Sequence, residues 1–157
     1  MSLILSFDKF INSKNSSSEK LNRCNWPSFC SIQIMRKKIL VIEDEPVIGE
    51  MMCILLEMEG YSVISLGDTG LARRKLHAQE VSMVMLDLGL KGEDGQSMCA
   101  YIKAQDDLKH IPVVLVSANH ELEQISVTIG ADDYIKKPFD LQHFLSKVNN
   151  YAGLKSA

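Results

Sequence analysis

The stretch that decides the fold is "KKILVIEDEPVIGE", residues 37–50. An apolar run, Ile39-Leu40-Val41-Ile42, ends in three consecutive acids, Glu43-Asp44-Glu45, and then in Pro46. A short, uninterrupted apolar run of this kind suits a strand buried on both faces. Two carboxylates about 4 Å apart repel by roughly 4 kcal/mol at an effective dielectric near 20. The acids therefore either point apart into water or are held together by something positive. Pro46 fits the first turn of a helix, where its missing N–H costs little. Asp44 or Glu45 could equally cap that helix, stabilising it by ~1 kcal/mol.

Outward from this stretch the chain alternates. Val47, Ile48, Met51, Leu55 and Met58 recur at helical spacing, and Gly60 closes the helix. "YSVISL" reads as a second strand, and Asp68 can cap "TGLARRKLHAQE", with Leu71, Ala72, Lys75 and Leu76 along one side. "VSMVMLDL" is the third strand, followed by the loop "GLKGEDG" and a helix from about Gln96 to Gln105. "IPVVLVSA" is the fourth, with Pro112 at a strand's permitted start. A helix from about Glu121 to Ile129 ends at Gly130, "DDYIKKP" gives a short fifth strand, and a last helix shows Leu141, Phe144, Leu145 and Val148 as its apolar side. Five strands alternating with five helices predict an α/β protein with right-handed crossovers and a parallel sheet covered on both faces.

The totals suit one soluble domain. The chain has 157 residues, 46% hydrophobic and 24% charged. Its longest apolar runs are strand-sized, and "LILSF" near the start is too short for a signal-peptide core, so a cytoplasmic protein with no membrane association is expected. The net charge of −3 argues against a general nucleic-acid binder. Residues 1–35 read differently from the rest. "NSKNSSSEKLNRCNWPS" is polar and aperiodic, which predicts a weakly structured leader, with Met35 a candidate initiator. Residues 36–152 form the expected domain and 153–157 a short tail. Cys24, Cys30, Cys53 and Cys99 show no metal or disulfide framework and read as reduced thiols. Met51, Met52, Met58, Met83, Met85 and Met98 read as core filler. Asp106-Asp107 and Asp132-Asp133 read as solvated loop acids, and "ARRKLH" as an exposed basic face.

In an open parallel sheet, ligands bind at the carboxyl ends of the strands. The residues there are Glu43 and Asp44 after strand one, Asp87 after strand three, Ser117 after strand four and Lys137 after strand five. Three carboxylates from two strand ends make a hard-oxygen site suited to Mg²⁺. Lys137 adds a point charge and Ser117 a hydroxyl for a small anion. The chemistry such a group supports is phosphoryl transfer to Asp87, a role carboxylates play in aspartyl-phosphate enzymes. An ordinary carboxylate needs no activating base at neutral pH.

Four segments in order, "ILVIEDEP", "VMLDLGLKGEDG", "VVLVSAN" and "GADDYIKKPF", resemble the successive signatures of the receiver domain of bacterial two-component response regulators. The resemblance runs from about Lys37 to Tyr151. It implies a flavodoxin-like, doubly wound sheet of strand order 2-1-3-4-5. It also implies that Asp87 accepts phosphate from a sensor histidine kinase or a histidine phosphotransfer protein, so that the chain is a phosphoacceptor and not an enzyme in its own right. Asp44, Asp87 and the backbone carbonyl of Gly89 would ligate Mg²⁺, with Glu43 ligating directly or through water. Ser117 and Lys137 would bind the phosphoryl oxygens, and Tyr134 would be the switch aromatic. Lys137-Pro138 matches a peptide that is cis in the family. The readout would be a target protein on the surface of the fourth helix, fifth strand and fifth helix, and the resemblance allows for a phosphorylation-dependent homodimer. Because only a few residues follow Tyr151, a stand-alone regulator is expected. The chain departs from the family pattern at Lys91, where a proline is usual, and in having Glu43-Asp44 instead of two aspartates.

Rival chemistries fit less well. A haloacid-dehalogenase-type phosphatase needs a second acid two residues after its nucleophile, where this chain has Gly89. A flavodoxin-like FMN site wants a phosphate-cradling loop where "EDEP" stands, and a Walker-type G-x-x-x-x-G-K-[ST] loop is absent from the sequence. The remaining alternative is a receiver-like scaffold that binds protein without being phosphorylated.

Overall fold

The computed structural model describes residues 36–92 and 94–153. The expected leader, with Cys24, Cys30 and Met35, and residues 154–157 of the tail lie outside the described residues. Five strands alternate with five helices: β1 (Lys38–Ile42), α1 (Pro46–Met58), β2 (Ser62–Leu66), α2 (Thr69–Ala78), β3 (Met83–Asp87), α3 (Gly95–Ala104), β4 (Val113–Ser117), α4 (Leu122–Thr128), β5 (Asp133–Lys136) and α5 (Leu141–Ala152). All four strand pairs are parallel, and the sheet order is β2-β1-β3-β4-β5, as the sequence predicts. No described helix is long and apolar enough to cross a membrane.

Every residue of β3 and β4 is buried, as is all of β1 beyond Lys38. Successive strand side chains point to opposite faces, so the same strands feed two separate clusters. Leu40, Ile42, Val84, Leu86, Val113 and Leu115 pack against Ala72 and Leu76 of α2, Met98, Cys99 and Ile102 of α3, and Leu122 of α4. Ile39, Val41, Met83, Met85, Val114, Val116 and Ile135 pack against Met52 and Leu56 of α1 and Phe144 and Val148 of α5. Fully burying such a side chain contributes about 1.5–3 kcal/mol. The predicted cap of α2 is present, with Asp68 Oδ1 accepting from the Leu71 N–H at 2.6 Å. Gly60 and Gly130, predicted to end α1 and α4, have φ of 88° and 73°, the left-handed geometry that favours glycine after a helix.

Several expectations need correction, among them those for Leu71 and Leu141, which are 43% and 49% exposed and do not face the core. The buried stripe of α1 is Gly49, Met52 and Leu56, while Val47, Met51 and Met58 of the predicted stripe are 73%, 42% and 78% exposed. This helix is apolar nearly all round, so spacing alone permits either stripe. Close approach favours the observed face: a Cβ on Gly49 would lie 3.3 Å from Ser65 Oγ on β2, a tight contact that glycine avoids. Met51 and Met58 are therefore not core filler, whereas Met52, Met83, Met85 and Met98 are.

Asp106 and Asp107 are exposed as expected, at 96% and 62%, whereas Asp132 and Asp133 are engaged and not merely solvated. Asp132 Oδ2 accepts from the Val113 N–H at 2.7 Å and pairs with Lys103 at 2.6 Å. Asp133 begins β5 and holds Lys147 with both oxygens, at 2.6 and 2.7 Å. Asp107 bonds His77 Nδ1 at 2.9 Å. The first N–H of a buried strand needs an acceptor, and Asp132 supplies it. The basic stretch of α2 is exposed at Arg74, Lys75 and His77, as expected, while Arg73 is half-buried with its guanidinium 4.3 Å over the Tyr101 ring of α3, and His77 Nε2 is 2.8 Å from the Tyr101 hydroxyl.

Candidate functional site

Register and alternation together place the site. β1, β3, β4 and β5 lie side by side, with Ile42 opposite Leu86, Asp87 opposite Val116, and Val116 opposite Ile135. Counting by twos from Ile39 and Val41, from Met83 and Met85, and from Ile135 brings Glu43, Asp87 and Lys137 to the α1/α5 side of the sheet. They arrive there from chain positions 44 and 50 residues apart, within reach of one another.

The side chains meet. One oxygen each from Glu43, Asp44 and Asp87 lies within 4.8 Å of the others. Lys137 Nζ donates to Glu43 Oε2 at 2.6 Å and stands 3.5 Å from Asp87 Oδ1. Glu43 Oε1 accepts from the Glu45 N–H at 3.4 Å, so Glu45 occupies the cap position of α1 without itself capping it. Asp44 likewise turns away from the helix: its Oδ2 accepts from the Lys91 N–H at 3.2 Å and lies 3.7 Å from Lys91 Nζ. The opening acids thus take separate tasks, with positive or donating groups between them.

Burial shapes the electrostatics. The Glu43 side chain is 1% exposed, and burial pushes its carboxyl above the usual range. The Lys137 hydrogen bond pulls the other way, and the neighbouring Asp87 charge adds to the rise. Asp87 and Asp44 are only slightly open, at 11% and 14% for the side chains, enough to face an incoming ion. Gly89 stands beside the carboxylate of Asp87, where a Cβ would lie 3.4 Å from Oδ2. A small residue there keeps the approach to Asp87 open.

Ser117 is buried at the end of β4, one residue past the register partner of Asp87, and its Oγ accepts from the Asn119 N–H at 3.3 Å. Alternation from Val113 and Leu115 puts it on the opposite side of the sheet from Lys137. Tyr134 shares that side. It pairs in register with Leu115, packs against the α2–α4 cluster, and lies under Lys147 Nζ at 5.7 Å from the ring centre. Lys137-Pro138 is cis. The structure therefore joins Glu43, Asp44, Asp87 and Lys137 in one crevice, with Gly89 at its lip, and sets Ser117 and Tyr134 on the adjoining face.

Hard carboxylate oxygens at this separation, two of them partly open, fit a small divalent cation such as Mg²⁺. The family model of the response regulator receiver domain matches residues 39–149. The chain belongs to this family. Among curated receiver-containing relatives, the phosphate regulon transcriptional regulatory protein PhoB of Escherichia coli is 34% identical over 116 residues, covering 73% of this chain and 51% of the relative. The DNA-binding dual master transcriptional regulator RpaA of Synechocystis is 38% identical over 117 residues, covering 71% and 47%. The chain spans about half the length of these relatives. A solved receiver domain, from a sensor histidine kinase of Pseudomonas aeruginosa and carrying a magnesium ion in its active site cleft, is 27% identical with a TM-score of 0.69, covering 75% of this chain and 98% of that one.

The roles of two neighbours were not legible. Asn119 holds Ser117 Oγ and Gly95 supports the backbone of Asp87. Only the "DG" of "GEDG", a capping acid followed by a residue without a side chain, hinted at the second.

Proposed function

We propose that this receiver accepts a phosphoryl group on Asp87, from a phosphohistidine of a sensor kinase or phosphotransfer protein, in an Mg²⁺-dependent reaction. The observation that carries the reading is the position of Asp87. It ends β3 with the oxygens of Glu43 and Asp44 within 4.8 Å and Lys137 Nζ at 3.5 Å. An Asp87 oxygen attacks phosphorus, the P–N bond to the donor imidazole breaks, and the imidazole nitrogen keeps the electron pair and takes up a proton. The product is an acyl phosphate.

Asp44, Asp87 and the Gly89 carbonyl would hold Mg²⁺, with Glu43 in direct or water-mediated contact. Bound there, the ion supplies charge neutralisation and polarises the phosphoryl oxygens. Lys137 provides a fixed ammonium for a second oxygen, kept in place by the buried Glu43. Ser117 would move to offer its O–H to a third, its oxygen already accepting from Asn119. The added charge of about −1.5 to −2 then biases the Ser117 and Tyr134 arrangement on the adjoining face. The readout is a target protein on the α4, β5 and α5 surface.

Incubation with acetyl phosphate and Mg²⁺, followed by intact mass measurement, tests this. Addition of one phosphoryl group is expected, abolished by chelation and by Asp87→Asn. No addition, or addition that survives Asp87→Asn, would favour a phosphorylation-independent scaffold.

A further inference from the structure

The crevice holds a second cation. Three carboxylates and Lys137 leave it with a formal charge of −2; Lys91 reduces this to −1. Lys91 is held in place through its backbone, whose N–H donates to Asp44 Oδ2 at 3.2 Å, a bond that a proline at this position could not make. Its ammonium lies 3.7 Å from the same oxygen on a side chain that is 90% exposed. The anchored backbone keeps the ammonium within reach of Asp44, and the exposed stem lets it leave.

We infer that Lys91 is a tethered counter-ion of Asp44 that a divalent cation must displace, and that it sets the affinity of the crevice for Mg²⁺. The inference rests on the metal-site reading above. The ammonium and the metal compete for one carboxylate oxygen, and both cannot neutralise it fully. Because the pair is exposed, it is screened by solvent and gives way at modest cost. Lys91 is thus a positioning residue for Asp44, acting before the phosphoryl group arrives.

Titration of the full chain with Mg²⁺ by calorimetry, at low and at high monovalent salt, tests it. Lys91→Gln keeps the N–H and removes the charge, and should bind Mg²⁺ about two- to five-fold more tightly at low salt. The difference should shrink as salt is raised. Lys91→Arg should restore the wild-type affinity. If Lys91→Gln matches wild type in affinity and salt dependence, or if Lys91→Arg tightens binding equally, the counter-ion role is overturned while the metal site stands. If wild type and Asp87→Asn take up Mg²⁺ indistinguishably, the metal-site reading fails, and the inference with it.

Discussion

Cys99 has no solvent exposure in α3, and its Sγ reaches the Ile129 carbonyl oxygen at 3.9 Å. Burial pushes this thiol up to about 11 from an ordinary 9.0; Lys103 opposes the shift and Asp132 adds to it. Below the ordinary value both folded and unfolded chains keep the proton, and stability does not depend on it. Between the two values the unfolded chain loses its proton first, so stability falls with rising pH, by about 3 kcal/mol once the folded value is passed. The urea midpoint of the wild type should therefore drop more steeply above pH ~9 than that of Cys99→Ala. Parallel slopes would show that the thiol is not responsible. The acids of the crevice were legible because Glu43 and Asp87 each directly follow an apolar run, with Asp44 next after Glu43, and strand ends are where such sheets bind ligands. The Glu43 to Lys137 bond was not, since its partners are 94 positions apart and meet only through the order of four strands.

At the level of elements, the turn from β3 into α3 is the tightest joint in the site. A Cβ on Gly95 would lie 2.3 Å from the Asp87 carbonyl oxygen and 2.8 Å from Leu88 Cα, both backbone atoms that cannot swing aside. Gly95→Ala should cost at least about 2–3 kcal/mol, as overpacking does, and slow phosphoryl uptake by displacing Asp87. Urea unfolding and the acetyl phosphate assay measure the two effects; a stable, fully reactive variant would mean the joint is slack. Element types could be read from periodicity, and most boundaries to within a residue or two. The facing of α1 could not. In a helix that is apolar nearly all round, the facing depends on close contacts such as Gly49 against Ser65, which exist only once β2 is in place.

For the molecule as a whole, the sheet order makes β1, β3 and β4 interior and leaves β2 and β5 at the edges. The interior strands are buried almost throughout, whereas β2 has no fully buried residue. Amide hydrogen exchange should accordingly be slowest in Ile39–Ile42, Met83–Leu86 and Val113–Val116, opening only with global unfolding, and faster in Ser62–Leu66. Equal protection across all five strands would contradict this gradient. The leader and the tail had composition but no period to read. The two side-chain clusters divided by the sheet share strands but not side chains. A change in volume beneath α2 and α3 stays local only while the shared strand backbones hold their places. The strand backbones are common to both flanks, so a shift at the Asp87 end of β3 can travel through β4 to the side that carries Ser117 and Tyr134, which is the route the proposed switch requires.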